Sequence, residues 1–404
     1  MDILNLTSRF SVGGNFIHRN HISSTSVRSH PSLFSGFIVR SSLPFPEEKA
    51  KYHRELKSAV DVVERACHLC VDVQKSLFSS GGILEKNDNT PVTVADFGVQ
   101  ALISLELGKL FPSIPLVAEE DSAFLRANNL GNSVMNVVSD KTIIKDLTES
   151  DVLEAIDRGG KDAFVFGTKP ATYWVLDPID GTKGFVMGGD ALYVVGLALV
   201  VDGEVVGGIM GCPNWQDENI SNSETGLLSE RGIVMVAHVG CGTWRKKLFG
   251  MGRSATEAPS YWSRCYVDKY SLIHQAHFCT SDNQTWESLP LTASLDATTN
   301  PESTNENKVL FLTACCGSLF KYLMVASGRA TVFIMRARAQ VVIKSWDHAV
   351  GMICVHEAGG KVTDWRGGQI DLAADEVERR ILYPGGGFLA TNGLLHSEVL
   401  QMIS

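Results

Sequence analysis

Six residues, Asp177-Pro178-Ile179-Asp180-Gly181-Thr182, carry the clearest chemistry in this chain. Two carboxylates three apart, on a turn that Pro178 stiffens, can hold more than one hard cation side by side. Gly181-Thr182 frees the backbone N–H groups of a short turn to meet an anion. Carboxylates alone would repel a phosphate, whereas carboxylates loaded with a divalent cation attract it. The segment reads as a metal-dependent phosphate site.

Three further acids stand where elements are expected to begin or end. Asp96 follows Thr93-Val94-Ala95 at a helix entrance, Glu119 ends the short strand Leu116-Val117-Ala118, and Asp347 follows Ser345-Trp346 at the start of the last long helix. An acid at a helix N-terminus is by itself an ordinary cap. The argument rests on their joint presence with residues 177–182.

This joint pattern resembles the lithium-sensitive, magnesium-dependent phosphomonoesterase superfamily that includes inositol monophosphatase, fructose-1,6-bisphosphatase and the 3′(2′),5′-bisphosphate nucleotidases. The resemblance runs from about Lys49 to the C-terminus. It implies an α+β fold, a layered αβαβα sandwich of two subdomains. It also implies that Glu119, Asp177, the carbonyl of Ile179, Asp180 and Asp347 hold two or three Mg²⁺, while Asp96 and Thr182 orient and deprotonate the attacking water. The stretches Gly317–Gly328 and Trp346–Gly360 look closest to the plant and fungal nucleotidase branch, and Ser318-Leu319-Phe320-Lys321 resembles its Ser-x-x-Lys helix. The implied activity is hydrolysis of adenosine 3′,5′-bisphosphate to AMP and phosphate, with the 5′-phosphosulfate analogue as a further substrate. Thr182, Ser281, Ser318, Lys321, Arg336 and Asp347 are the implied substrate contacts. Two positions depart from the fungal pattern. Ser281 stands in place of a nucleotide-contacting histidine, and Met335 in place of an arginine, with Arg336 and Arg338 just beyond. An inositol phosphate 1-phosphatase is the alternative within the same chemistry, and a non-catalytic nucleotide or metal sensor the alternative outside it.

The elements that must position these groups are partly legible. Leu56, Val60, Val63, Cys67, Cys70 and Val71 recur at helical spacing, predicting a helix from near Pro46 to about Phe78, ended by Ser79-Ser80-Gly81-Gly82. Val99, Leu102, Ile103, Leu105 and Leu107 mark a second helix, which Pro112 and Pro115 break. Residues 121–172 show a helical pattern from about Met135 to Ile156 with no attached chemistry. Tyr173-Trp174-Val175-Leu176 is a buried-looking strand that delivers Asp177. Strands 194–201 and 205–210 are joined by the turn Asp202-Gly203. Residues 212–307 read as short strands and loops, with 301–307 a surface loop. Beyond Lys308 come a strand, a helix at 318–328, a strand at 330–334 and a helix at 347–358 closed by Gly359-Gly360. The division expected is 1–46 as a transit peptide, 47–215 as a metal-binding α+β domain and 216–404 as an α/β substrate domain.

With 404 residues there is room for two domains and a large core. A net charge of −9 argues against a nucleic-acid binder, which needs a basic stripe, but not against a small anionic substrate, because cations supply the local charge. The apolar run Leu192–Met210 is interrupted by Asp202 and Glu204 and reads as a hairpin, so no membrane partner is expected. The implied partner is a small nucleotide bisphosphate; oligomeric state is left open. Nine cysteines lack a disulfide rhythm and fit a reducing compartment. Cys67-His68-Leu69-Cys70 is a single copy with no second pair to complete a zinc site, and with Cys315-Cys316 is read as core. Residues 1–46 hold Arg9, Arg19, Arg28 and Arg40, ten serines and only Asp2 as an acid. That composition marks an organellar transit peptide, taken here as mitochondrial with chloroplast as the alternative.

Overall fold

In the computed structural model, residues 42–80, 84–85, 91–92, 94–160, 165–167, 171–216, 231–248, 261–300 and 308–403 are described. The expected transit peptide lies almost wholly outside them, as do Gly81-Gly82, Thr93 and the 301–307 loop. The amphipathic pattern after residue 50 becomes α1 (His53–Ser80), and the second becomes α2 (Val94–Leu110). A two-stranded hairpin, β1 (Leu84–Glu85) and β2 (Pro91–Val92), lies between them.

Seven strands form the first sheet in sequence order: β3 (Leu116–Ala118), β4 (Thr172–Asp180), β5 (Val194–Val201), β6 (Glu204–Cys212), β7 (Ile233–His238), β8 (Gly242–Lys247) and β9 (Ser263–Arg264). Only β3 and β4 run parallel; the rest are antiparallel. The β5–β6 turn is the expected one, with Asp202 and Gly203 both at positive φ. The expected division at residue 215 falls inside this sheet, whose last three strands lie beyond it. Asn214 and Trp215 follow β6 without ending the hydrogen-bonded layer, because β7 returns to pair with β6.

Residues 121–172 turn out to be three short helices rather than one: α3 (Ala123–Asn128), α4 (Gly131–Ser139) and α5 (Glu149–Asp157). Thr148 and Asp151 form a capping box that starts α5 afresh, which is why the helical pattern does not run through. α4 and α5 pack on α2. They account for a helix buried on every side from Ala95 to Leu107.

The helix α6 (Thr182–Met187) follows β4 directly. The second sheet begins at β10 (His277–Ser281) and continues with β11 (Asp296–Thr298), β12 (Lys308–Ala314), β13 (Val332–Arg336), β15 (Lys361–Asp364) and β17 (Gly387–Thr391). Its order is β11-β12-β10-β13-β17-β15, with β10, β11, β12 and β13 mutually parallel. A small pair, β14 (Ile343–Lys344) and β16 (Ile381–Leu382), stands apart. Helices α7 (Leu319–Ala326) and α8 (Ala349–Glu357) lie between the sheets, and α9 (His396–Ile403) covers the outside of the second. Three apolar cores result: α1 and α2 against the first sheet, α7 and α8 between the sheets, and α9 with short 3₁₀ turns against the second. This is the expected five-layer α+β sandwich.

The middle layer is tight because it is gripped from both sides. A Cβ built on Gly351 of α8 would lie 2.4 Å from the ring of Tyr322 on α7. Alanine normally stabilises a helix interior by about 1 kcal/mol over glycine. Here the ring is itself wedged against Phe333 and His348, so it cannot move aside. Gly351→Ala is therefore expected to destabilise the fold by about 1–3 kcal/mol, the cost of overpacking. A thermal melt that shows equal or higher stability would contradict this packing.

Candidate metal and catalytic site

β4 delivers two of the acids, and a fault in its pairing lets it. Along a regular strand, residues three apart face opposite sides. Asp177 pairs with Gly196 and Asp180 with Val194, so three steps on β4 match two on β5. The extra residue is a bulge at Pro178-Ile179, where proline's missing N–H costs no ladder bond. It returns Asp180 to the side of the sheet that Asp177 faces.

The layer beneath then claims Asp180. Both its oxygens accept backbone N–H bonds, from Ser318 at 2.9 Å and Leu319 at 2.7 Å, at the N-terminus of α7. The chain must come very close to do this. Gly317 has φ of +73°, and a Cβ there would lie 2.2 Å from Asp180 Oδ2. The parallel register of Ala118 with Leu176 sets Glu119 beside Asp177. Asp347 precedes α8 in a turn that the backbone of Arg379 and Arg380 holds through Ser345.

Ligand oxygens of Asp177, Asp180 and Asp347 lie within 4.8 Å of one another. Asp177 and Asp180 are buried, Asp347 is half-buried and Glu119 is exposed, so the cluster is closed at its floor and open toward Glu119. Burial pushes the Asp177 carboxyl well above the usual range, and Glu119, Asp180, Asp347 and Asp96 push it further. Asp347 is raised by burial and by Asp180 and Glu119, while a hydrogen bond with Asp177 opposes this. Asp180 is raised by burial against the lowering pull of its two N–H donors and Lys321. Asp177 Oδ1 is buried with no hydrogen-bond partner. An all-oxygen cluster with a bare buried carboxylate oxygen has the donor chemistry of a hard divalent cation.

Asp96 sits in the first turn of α2, buried, and the Thr182 hydroxyl lies 3.4 Å from its Oδ1 and 3.1 Å from the Ile179 carbonyl. Of the residues expected to act together, Asp177, Asp180 and Asp347 converge, Thr182 meets Asp96, and Glu119 and Asp96 are near enough to act on the charge of Asp177. The Ile179 carbonyl accepts from Thr182, and its side chain is in the α1–α2 core.

The expected substrate contacts divide. Ser281 ends β10 and Ser318 caps α7, both half-buried. Next to Ser281, Asp282 pairs with Lys183 at 3.6 Å, which sets that strand end beside Thr182. Lys321 is fully buried on α7, where Asp180 and Asp282 act on its charge, and its Nζ donates to the Gly317 carbonyl, bracing that turn. Arg336 is exposed, but its guanidinium donates to the Ser288 carbonyl at 3.1 Å. Arg338 similarly donates to the Asn283 carbonyl. Cys67 and Cys70 are free and buried in the core, as expected. Cys315 is half-buried and Cys316 buried in the turn before Gly317, where Cys316 has φ of +74°.

Two positioning residues escaped the sequence reading. Gln100, four residues after Asp96, donates from Nε2 to the carbonyls of Glu120 (2.6 Å) and Ile156 (2.8 Å), and its Oε1 accepts from Glu120 N at 2.9 Å. It clamps the Glu119-Glu120 backbone to the helix that carries Asp96. A glutamine among the apolar residues Val99, Ala101, Leu102 and Ile103 was the available signal. Arg380 donates to the carbonyls of Ala118 (2.8 Å) and Gly159 (2.7 Å), and its guanidinium lies over Trp346. It joins the end of β3 to the residue before Asp347, a link between distant segments that no local pattern encodes.

Known proteins bear on this geometry. The family model described as "Inositol monophosphatase family" matches residues 46–402. An Arabidopsis thaliana protein named "Putative 3'(2'),5'-bisphosphate nucleotidase, mitochondrial" is 61% identical over 91% of this chain and 91% of its own. The "3',5'-bisphosphate nucleotidase AHL" of the same plant is 34% identical over 86% of this chain and 95% of its own. Among solved structures, the extragenic suppressor protein suhB of Bartonella henselae superposes with a TM-score of 0.51 at 18% identity, covering 87% of this chain and 98% of that one. The expected fold and family agree with these matches, and the chain belongs to the inositol monophosphatase family.

Proposed function

We propose that this protein is a magnesium-dependent phosphomonoesterase that hydrolyses adenosine 3′,5′-bisphosphate to AMP and phosphate, and that it works in the mitochondrion. The observation that carries the chemistry is the cluster of Asp177, Asp180 and Asp347 beside the Asp96–Thr182 pair. The substrate and the organelle follow the printed names of the relatives, and the organelle also fits the arginine- and serine-rich leader.

Glu119, Asp177, the Ile179 carbonyl, Asp180 and Asp347 would hold two or three Mg²⁺. Bound there, these ions would lower the pKa of water and neutralise charge on the phosphate and the leaving oxygen. The protein's own part is alignment and proton transfer. With its one proton turned to Asp96 rather than to the Ile179 carbonyl, the Thr182 hydroxyl would keep its lone pairs free to accept from a water. Asp96, buried at a helix N-terminus, is placed to take the proton through that hydroxyl. Burial of the floor keeps bulk water from competing for the site. Ser281 and Arg336 end the neighbouring strands β10 and β13 and Ser318 precedes α7; Arg336 would have to leave the Ser288 carbonyl to bind a second phosphate. The departure from an arginine at Met335 makes Arg336 the nearest cation on β13 for that role.

Phosphate release across a panel of adenosine 3′,5′-bisphosphate, 5′-phosphosulfate analogue, AMP and inositol 1,4-bisphosphate tests the assignment. Fastest turnover of the inositol ester would instead favour the inositol phosphatase reading. Binding of nucleotide without phosphate release in Mg²⁺ would favour a sensor. Asp347→Asn is expected to lower kcat by more than about 100-fold, beyond the loss typical of outer-shell partners of a metal. Asp177→Asn should in addition raise the melting temperature of metal-free protein, because one of several repelling carboxylates is gone, while removing the stabilisation that Mg²⁺ confers. Thr182→Ala is expected to cost about 10²–10⁴ in kcat with little change in KM, the pattern of a lost proton-transfer partner. Arg336→Ala should raise KM for the bisphosphate about tenfold or more and leave hydrolysis of a simple monoester unchanged; equal effects on both would remove Arg336 from substrate binding.

A further inference from the structure

At the end of the first sheet remote from the carboxylates, a cavity of about 480 Å³ lies between the C-terminal half of α2, the start of β3 and the end of α5. That size is within the range of pockets that take small organic ligands, about 300–1,000 Å³. Its wall is mainly apolar, with Ile103, Leu107, Ile114, Leu116 and Trp174 beside the hydroxyls of Ser104 and Ser113, and Arg158 is its only charged lining residue. Two donors there lack acceptors. Trp174 is buried, and its Nε1–H has no hydrogen-bond partner. The Arg158 guanidinium forms no hydrogen bond or ion pair among the described residues; Glu154 and Asp151, earlier on its own helix, act on it only at a distance. It packs instead against the backbone at Gly108, where a Cβ would sit 3.3 Å from Nη1. The C-terminal end of α2 attracts the cation to that spot without using up its five N–H groups.

We propose that this cavity is a binding site for a small amphiphilic anion, an aromatic or acyl body carrying one carboxylate or sulfonate. The body would fill the apolar chamber and the anion would meet Arg158 at the mouth, with Trp174 as a second donor. A dication is disfavoured, since the lining offers no carboxylate. The site is separate from the proposed phosphatase centre: Leu107 lies eleven residues along α2 from Asp96, about 16 Å at helical rise.

The probe is 8-anilinonaphthalene-1-sulfonate, titrated by fluorescence into the full chain with Mg²⁺ present, beside its uncharged analogue N-phenyl-1-naphthylamine. One saturable site is expected for both. Arg158→Gln should weaken the sulfonate about tenfold, the scale of one charge-assisted hydrogen bond, and leave the uncharged analogue unchanged. Ser104→Leu, which adds bulk to the chamber wall, should weaken both. Arg158 is exposed, so its variant should keep the wild-type melting temperature. Equal affinity of the sulfonate for wild type and Arg158→Gln, or probe binding untouched by Ser104→Leu, would overturn the proposal.

Discussion

Mutual repulsion among carboxylates is the constraint around which this protein is arranged. Asp177 feels Glu119, Asp180, Asp347 and Asp96, and its burial raises the cost of every negative charge nearby. An isolated chain would relieve such a cluster by moving the groups apart. Here the five are tied to four rigid elements, so relief by motion is closed. β4 holds two, β3 the third, α2 the fourth and the turn before α8 the fifth. What remains is protonation, hydrogen bonding or a cation. The backbone donors of α7 neutralise part of Asp180, but Asp177 Oδ1 has no such partner.

The surrounding layers can be understood as what this arrangement requires. α2 carries Asp96 and is enclosed by α4, α5 and the sheet, which makes it a rigid rod rather than a surface helix. Gln100 fastens that rod to the chain at Glu120. Arg380 fastens β3 to the turn that presents Asp347. Lys321, buried, holds the Gly317 turn against Asp180. None of these need touch a substrate, yet each fixes a distance between acids that repel.

Much of the site was legible because its residues sit at the ends of elements, where sequence signals are strongest. Proline and glycine punctuate β4 and α6 at residues 178 and 181, and apolar runs before Glu119 and Asp177 mark two strands. The helical spacing of α1 and α2 was likewise readable. The failures share a cause. Residues 121–172 break into three helices because a capping box at Thr148 restarts the chain, a local bond that competes with periodicity. The first sheet runs past residue 215 because β7 pairs with β6, and strand partners are not written in either strand alone. Arg380 joins segments more than 260 residues apart in the hydrogen bond to Ala118, beyond any window of sequence reasoning.

Asp180 has two employments: it fastens α7 to the first sheet, and it stands among the oxygens that face one another across the cluster. Loading the cluster with cations draws electron density from the same carboxylate that anchors the helix. Occupancy and architecture therefore answer to one atom group. The calorimetric enthalpy of ion uptake by this protein should contain a contribution from the sandwich itself, so a ligand-free form and a loaded form are different mechanical objects even if their backbones superimpose.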